Sequence, residues 1–213
     1  MERTEHILAA AYAHFSIKGY HGTTLSDIAN SLKMSKKTIY FRFRNKEDLF
    51  VAVGKWKLNE IVRQSLQVIY SDRSFVRKLV DYLEMVFENV RHINPNVLRE
   101  VVVDKGHLSE IVSDHLYGTV FERFAALIEQ GRKEGMIDER VDPMVTLLLY
   151  SQTLKSFLFD KPSNYPQVQL EKEFHVFLCK QLRSFFRGLL SKEGTIQFDE
   201  LFDQRAHLVK AYA

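Results

Sequence analysis

Residues 35–50 combine cationic and aromatic side chains at a density that suits a polyanionic surface. This segment, SKKTIYFRFRNKEDLF, has no acidic residue before Glu47. Lysine and arginine bind phosphate, whereas an exposed aromatic ring needs an apolar contact such as a thymine methyl group. A helix that divides these side chains between two faces would suit duplex DNA. The cations are Lys36, Lys37, Arg42, Arg44 and Lys46, and the aromatic residues are Tyr40, Phe41 and Phe43.

Helical periodicity surrounds this segment and predicts the elements that position it. Apolar residues recur at intervals of three and four from Ile7 to Phe15, and Gly19 follows as a helix stop. Asp27 lies three residues after Thr24, a spacing at which the two side chains can form a capping box at the start of a helix. We therefore expect three short helices within residues 3–43 and a fourth helix after them. The predicted N-caps of the second, third and fourth helices are Thr24, Ser35 and Asn45.

The third predicted helix, about two turns long, has two chemically different faces. Ile39 and Phe43 are four residues apart and face inward. A short break, KMS, separates this helix from the second, as in a helix-turn-helix whose second helix enters the major groove. Ordinary surface lysines, and a packing role for Tyr40, are the alternatives left open. The outer face carries Lys36, Lys37, Tyr40 and Arg44, with Phe41 and Arg42 on its flanks.

Charge and composition are consistent with this interpretation. Residues 1–55 contain nine Lys and Arg against five Asp and Glu, whereas the whole 213-residue chain has a formal net charge of +3. The positive charge is therefore concentrated where a polyanion would bind. No run of about 18 uncharged apolar residues predicts a membrane span, and we expect a cytoplasmic protein. Cys179 is the only cysteine, which excludes an intrachain disulfide or a thiolate metal cluster.

Beyond residue 45 the apolar spacing remains helical, and the expected fold is all-α with about ten helices. We expect a helix-turn-helix DNA-binding domain over residues 1–46 and a larger helical ligand-binding and dimerisation domain over residues 47–213. The pair Asp142 and Pro143 predicts a helix start.

The segment 170–189 carries a broad apolar face that is rich in phenylalanine. Such a face is too wide for a simple surface helix, so we expect part of it in the core and part in a dimer interface. Gly194 is expected to break this helical pattern. The phenylalanines assigned to the stripe are Phe174, Phe177, Phe185 and Phe186.

Many matches at fixed spacing run through residues 7–53. They comprise Ala11 and Phe15, Gly19-Tyr20, TTLSDIA, SKKTIYFRF and NKEDLF. These elements resemble the DNA-binding domain of the TetR family of bacterial transcriptional regulators. The resemblance implies a homodimer on a pseudo-palindromic double-stranded operator, with an inducer pocket and the dimer interface in the C-terminal domain. For that interface we predict the eighth and ninth helices, at roughly residues 143–159 and 168–190.

The resemblance also implies which side chains contact DNA. In the family, contacts come from the start of the second helix, most of the third helix and the start of the fourth. Lys37 replaces a usual glycine and is expected to contact base edges, whereas Phe41 replaces a usual tyrosine or histidine and offers an apolar face. Lys36 and Lys46 are expected to contact phosphate. Carried over by position, the DNA-binding residues are Thr24, Ser26, Ser35, Lys36, Lys37, Thr38, Tyr40, Phe41, Arg42 and Lys46.

An inducer pocket in a nearly neutral, aromatic-rich body favours an apolar or aromatic small molecule. Core packing is an equally good explanation for any one of these aromatic residues. The candidate ligand-binding residues are Tyr82, Phe87, His107, Phe121 and Tyr150.

Three classes of function remain open from the residues alone: a ligand-gated DNA-binding repressor, a DNA-binding regulator without an inducer, and a small helical enzyme. The enzyme would use Glu100, Asp104, His107 and His115, whose spacing can gather metal ligands on one helix face. A solvated polar face explains that cluster better, so we expect neither a metal nor a cofactor. The chain also lacks the GxSxG, HExxH, P-loop and dinucleotide-binding patterns, so it is not expected to be an enzyme.

Overall fold

The computed structural model describes residues 2–91, 124–149 and 170–205. Within these ranges the chain forms helices joined by turns, with no strand and a single isolated antiparallel bridge between Ile137 and Leu190. The predicted all-α class is therefore confirmed. The described residues group into two units that divide between residues 61 and 62. The predicted domain boundary at residue 46 stays a prediction.

The first unit contains α1 (Glu2–Lys18), α2 (Leu25–Ser31), α3 (Lys36–Tyr40) and most of α4 (Lys46–Ile69). α2 packs against both α1 and α3. The apolar faces of these helices close into one core, as the three- and four-residue spacing predicts. Its buried members are Ile7, Ala11, Phe15, Leu25, Ile28, Ala29, Ile39, Phe43, Leu49, Phe50 and Val53.

Side-chain caps fix where these helices begin, and all three predicted N-caps are confirmed. Thr24 and Asp27 form a reciprocal capping box, with the Asp27 amide donating to Thr24 Oγ1 at 3.2 Å and the Thr24 amide donating to Asp27 Oδ2 at 3.0 Å. Ser35 Oγ accepts from the Thr38 amide at 3.3 Å. Asn45 Oδ1 accepts from the Asp48 amide at 2.8 Å.

Two left-handed residues turn the chain between these helices. Gly19 ends α1 with a φ of 76°, which glycine adopts without a steric penalty. Lys33 has a φ of 54° between α2 and α3, where the Met34 amide donates to the Ala29 carbonyl at 2.9 Å. α3 ends at Tyr40, earlier than expected, although the Phe43 amide still donates to the Ile39 carbonyl at 3.0 Å.

The second unit is built around α5 (Phe75–Val90), which packs against the helices Leu170–Leu189 and Lys192–Asp203. Residues 124–133 and 143–149 are also helical. The predicted start at Asp142 and Pro143 is confirmed, because Asp142 Oδ1 accepts from the Met144 amide at 2.9 Å.

Gly194 does not break a helix, so that prediction was wrong. It lies buried in the first turn of Lys192–Asp203, whose N-cap is Ser191. A Cβ atom at Gly194 would lie 2.5 Å from the carbonyl oxygen of Met136. Glycine therefore permits this helix to approach the chain at Met136, and the break between the helices falls at Leu190 and Ser191 instead.

The Phe-rich stripe contributes to the core of this unit where the structure describes its side chains. Phe185 and Phe186 are 9% and 2% exposed within a single chain, so these two are core residues and not exposed members of a dimer interface. Residues on the outer side of the same helix, such as Lys180, Gln181 and Ser184, are exposed and polar. The side chains of Phe174 and Phe177 lie outside the described part.

A charge network centred on the buried Asp81, which the sequence did not indicate, connects parts of the second unit. The Asp81 carboxylate is 7% exposed and pairs with Arg73, with Arg77 Nε at 3.2 Å and with Arg205 Nη2 at 2.9 Å. Arg205 Nε also donates to Glu84 Oε2 at 2.8 Å. Arg205, which follows the last described helix, is thereby held against α5 by two carboxylates.

Candidate DNA-binding interface

The starts of α2, α3 and α4 border one groove with a volume of about 390 Å³. Five predicted DNA-contact residues meet there although they are up to 22 positions apart in the chain. The structure therefore brings together residues from all three segments that the family resemblance implicated. The groove is lined by His21, Thr23, Thr24, Leu25, Ser26, Lys36, Tyr40 and Lys46.

α3 presents its cations and two of its rings to solvent. Tyr40 and Phe41 are 52% and 88% exposed, whereas Phe43 is 7% exposed. Lys36 and Lys37 are exposed as well. The predicted division of the rings, with Phe43 in the core and the other two on the surface, is confirmed.

Side-chain hydrogen bonds hold three other predicted contact residues in place, namely Ser35, Thr38 and Arg42. Ser35 Oγ and Thr38 Oγ1 lie 3.0 Å apart at the start of α3. Arg42 Nη1 donates to Thr4 Oγ1 of α1 at 2.7 Å, across 38 positions of sequence. Arg42 thus connects the end of the recognition segment to the first helix while its side chain remains exposed.

Lys46 lies in the groove but makes close contacts within the protein. Its Nζ donates to the carbonyl oxygens of Tyr20 at 2.7 Å and Thr23 at 3.0 Å. The same ammonium lies 4.1 Å from the centroid of the Tyr20 ring. The sequence gave no sign of these contacts, because the acceptors are backbone atoms more than 20 positions away.

Three residues of the groove were not predicted from the sequence: His21, Thr23 and Leu25. Thr23 is completely buried and its hydroxyl donates to the Gly19 carbonyl at 2.8 Å, so it shapes the turn between α1 and α2. His21 is exposed on that turn, with its ring 5.2 Å from the Tyr20 ring. The sequence did offer a signal for His21, which lies three residues before the N-cap Thr24. Residues at such a position belong to the turn beside the helix N-terminus.

Two of the five ligand-binding candidates lie in the described residues, and both pack into the second unit. Phe87 is 6% exposed within the core. Tyr82 packs against that core, 6.1 Å from the Phe186 ring, and burial raises the pKa of its hydroxyl. The other candidates, His107, Phe121 and Tyr150, lie outside the described residues, as does the carboxylate-histidine cluster at Glu100, Asp104, His107 and His115.

Neither a metal cluster nor a membrane helix occurs in the part of the chain that the structure describes. No group of three or more His, Cys, Asp or Glu side chains there is arranged to hold a metal ion. No helix in the same ranges is long and apolar enough to cross a bilayer.

A short helix with exposed cations and rings, placed after a tight break and a capped helix, defines a helix-turn-helix DNA-binding protein. Residues 7–53 match the family described as "Bacterial regulatory proteins, tetR family". Residues 7–53 are thus a TetR-family DNA-binding domain, and the chain is a helix-turn-helix transcriptional regulator.

Sequence similarity to regulators of known role extends beyond residues 7–53. The biofilm operon icaADBC negative transcriptional regulator IcaR of Staphylococcus aureus strain Newman is 26% identical over 162 residues, covering 73% of this chain and 84% of IcaR. The transcriptional activator FasR of Mycolicibacterium smegmatis is 29% identical over 127 residues, covering 53% of this chain and 58% of FasR.

The fold as a whole is shared with solved structures. The regulator FadR of Bacillus subtilis, crystallised in complex with stearoyl-CoA, superposes with a TM-score of 0.55 at 20% identity. The similarity covers 87% of this chain and 98% of the FadR chain. At this level of identity the similarity concerns the fold alone.

Proposed function

We propose that this protein is a sequence-specific repressor that binds a pseudo-palindromic operator as a homodimer and is released by a small apolar molecule. The observation that carries the proposal is the groove in which Thr24, Ser26, Lys36, Tyr40 and Lys46 meet. Helix N-termini and cations on one surface suit phosphates, and the exposed face of α3 suits the floor of the major groove.

Each part of this surface has a distinct role in the proposal. Thr24 and Ser26 lie at the start of α2, where backbone amides and hydroxyl groups suit the DNA backbone. Ser35, Lys36 and Thr38 at the start of α3 suit phosphate, whereas Lys37 and Phe41 are directed to bases. Tyr40 and Arg42 complete the recognition segment, and Lys46 at the start of α4 suits phosphate.

The proposed direction of regulation follows one of two relatives, which regulate transcription in opposite directions. IcaR is named a negative regulator and matches 73% of this chain, whereas FasR is named an activator and matches 53%. The longer match favours repression. A reporter gene placed behind the selected operator should be less active when this protein is present, and higher activity would identify an activator.

The DNA-binding part is tested by selecting preferred sites from random duplexes with the purified protein. A two-fold symmetric site should emerge, with half-site centres about one helical turn, or 34–36 Å, apart. Lys36→Ala should lower operator affinity and reduce the salt slope by about one unit. Lys133→Ala is the matched control, because Lys133 is an exposed lysine of the second unit whose side chain is 74% exposed. Failure to enrich any site would refute the proposed function.

Homodimerisation is proposed through the predicted eighth and ninth helices. Residues 143–149 of the eighth helix carry three large apolar side chains that are about half exposed or more in a single chain. This cluster is consistent with an apolar interface between subunits. Its members are Val145, at 53% exposure, Leu148, at 47%, and Leu149, at 64%.

The inducer is proposed to be apolar and to bind in the second unit. The core there is rich in phenylalanine and leucine. The FadR structure of the same fold was obtained with stearoyl-CoA, whose acyl chain is apolar. A ligand that displaces α4 would change the separation of the two recognition helices, and 1–3 kcal/mol of coupling corresponds to about 5–150-fold in operator affinity.

Thermal unfolding with a ligand panel tests the inducer. Fatty acids, acyl-CoA, aromatic compounds, small anionic metabolites and divalent metals are compared at fixed protein concentration. A ligand at a hundredfold excess over Kd stabilises the native state by about 2.7 kcal/mol. Stabilisation only by small anions or metals contradicts an apolar pocket. Stabilisation by none of the classes favours the alternative, a DNA-binding regulator without a small-molecule inducer.

A further inference from the structure

The guanidinium group of Arg42 is tied to the first turn of α1. Its Nη1 donates to Thr4 Oγ1 at 2.7 Å, and Thr4 is its only hydrogen-bond partner among the residues that the structure describes. The bond joins two residues that are 38 positions apart in the chain. Thr4 lies outside residues 7–53, the segment that matches the TetR family, so the family pattern assigns it no role.

Both ends of this bond are attached to well-packed parts of the first unit. Thr4 lies one helical turn before Ile7, which is completely buried in the core. The Arg42 amide donates to the Ile39 carbonyl at 2.9 Å, and the next residue, Phe43, is 7% exposed. The backbone of Arg42 is thus held on both sides, and the freedom that remains lies in its long side chain. The Thr4 hydroxyl restrains the tip of that side chain.

The bond to Thr4 leaves most of the guanidinium group available to a ligand. A guanidinium group has five N–H donors in one plane, so four remain after one donates to Thr4. Arg42 is exposed, and a planar fork of donors matches two oxygen atoms of one phosphate group. An arginine side chain loses much rotamer freedom when it binds a ligand. Because Thr4 restrains Arg42 before DNA arrives, part of that loss is already incurred in the free protein.

The position of Arg42 favours phosphate over bases. Lys37 and Phe41, which are proposed to contact bases, lie on the exposed edge of α3. Arg42 follows the end of α3 and is held against a second helix, α1. Phosphates line both walls of the major groove beside an inserted helix, and contacts to them position the protein on the duplex. A guanidinium group beside the inserted helix therefore suits the groove wall.

We propose that Thr4 is a positioning residue for operator binding, which holds the Arg42 guanidinium so that its remaining donors bind one backbone phosphate in each half-site. The inference rests on the proposed DNA-binding function. It adds the first turn of α1 to the elements that shape the DNA-binding surface, beside the starts of α2, α3 and α4. Thr4 acts through Arg42 and makes no contact of its own with DNA.

A double-mutant cycle on operator binding tests the positioning role. Thr4→Val keeps the size and branching of the side chain, removes the hydroxyl, and should weaken operator binding about threefold to tenfold. In an Arg42→Ala background the same substitution should have no further effect, because the group that Thr4 positions is absent. Thr4→Ser, which keeps the hydroxyl, is the matched control and should bind as the wild type does. An equal effect of Thr4→Val in both backgrounds, or no effect in either, would overturn the inference.

A methylphosphonate scan of the selected operator locates the phosphate. Replacing one charged phosphate at a time by a neutral group removes the partner of any cation that contacts it. One replacement in each half-site should be non-additive with Arg42→Ala, and Thr4→Val should be less sensitive than the wild type to the same replacement. A scan in which every replacement is additive with Arg42→Ala would show that Arg42 does not contact phosphate, and the inference would fail.

Magnetic resonance of the free wild-type protein tests the bond without DNA. An exposed side chain that is not restrained reorients rapidly, whereas a hydrogen bond at one Nη atom slows rotation of the guanidinium group. The Arg42 Nη signals should therefore be separate in the wild type and in Thr4→Ser, and averaged in Thr4→Val. Arg44, which is exposed on the same segment, is the control and should give averaged signals throughout.

The outcomes separate this inference from the proposed function on which it rests. Averaged Arg42 signals in the wild type would overturn the inference even if the protein selects a preferred DNA site. A preferred site that the wild type and Thr4→Val bind equally well would refute the inference and leave the DNA-binding proposal intact. Failure to select any site would refute the DNA-binding proposal, and the inference with it, whatever the Arg42 signals show.

Discussion

The Phe41 amide donates to the Lys37 carbonyl at 3.0 Å, which places Phe41 one helical turn beyond Lys37. Side chains four residues apart lie on the same side of a helix, so the two form adjacent parts of one exposed edge. Both positions depart from the commonest TetR pattern. The edge that Lys37 and Phe41 share is therefore where the base preference of this protein is expected to differ most from its relatives.

Lys37→Gly should relax the preference at one base pair in each half-site by about 1–3 kcal/mol, because a groove-facing lysine suits guanine N7 or O6. Selection of sites with both proteins, followed by affinity measurements on single-base variants, checks this. Lys36→Ala serves as the control, since loss of a phosphate contact should weaken all sequences alike. An identical preferred site and identical penalties for Lys37→Gly would contradict base contact by Lys37.

Phe41 is predicted to contact a thymine methyl group, because its exposed ring has no donor or acceptor to offer the base edges. Replacing each thymine of the operator in turn by deoxyuridine removes only the methyl group. One replacement in each half-site should lower wild-type affinity severalfold, by up to the ~0.8 kcal/mol expected for a buried carbon group. The same replacement should have no effect on Phe41→Ala. Equal sensitivity of the wild-type and variant proteins would show that Phe41 contacts something else.

The starts of α2, α3 and α4 were predictable because their determinants are local. Thr24, Ser35 and Asn45 each cap a helix through a group three residues away, and the sequence displays both partners. The inward position of Phe43 followed equally from its spacing to Ile39. Side-chain type and a spacing of three or four are sufficient for such features.

Features that depend on distant backbone atoms were not predictable. Lys46 contacts the Tyr20 and Thr23 carbonyl groups, and Gly194 is required by the Met136 carbonyl, but neither acceptor is visible in a pattern of side chains. Phe185 and Phe186 belong to the core because helices from elsewhere in the chain cover them. Apolar periodicity shows that a face will be covered, and only the packing shows which element covers it.

Gly131 is predicted to be required for packing in the second unit. A Cβ atom there would lie 2.7 Å from the Phe75 ring, which is fully buried and cannot move aside. Gly131→Ala should therefore lower the free energy of unfolding by about 1–3 kcal/mol, despite the better helix propensity of alanine. Chemical denaturation measures the change, with Arg132→Ala on the exposed side of the same helix as control. A stabilised Gly131→Ala protein would show that the ring can shift.

The capping box predicts a pH-dependent contribution to stability. Hydrogen bonds from the Thr24 hydroxyl and the Thr24 amide hold the pKa of Asp27 below its usual value of 3.8. Because the folded-state pKa is the lower one, the contribution is complete above about pH 4 and is lost as the pH falls through the folded-state value. Denaturation midpoints of Asp27→Asn and wild type should therefore differ most at neutral pH and converge in acid. Thr24→Val should show a smaller pH dependence than wild type, and a constant difference between Asp27→Asn and wild type would contradict this role of the carboxylate.

Leu149 is predicted to lie in the dimer interface. It is 64% exposed in a single chain, one turn beyond Val145, which is 53% exposed, and a charge buried between subunits without a partner is costly. Leu149→Glu should therefore produce monomers in sedimentation and lose operator binding, because each half-site alone holds one recognition helix. Ile196→Glu is the matched control, since Ile196 is a large apolar residue with 47% exposure on the helix Lys192–Asp203. Dimers that persist in Leu149→Glu, or that dissociate equally in Ile196→Glu, would place the interface elsewhere.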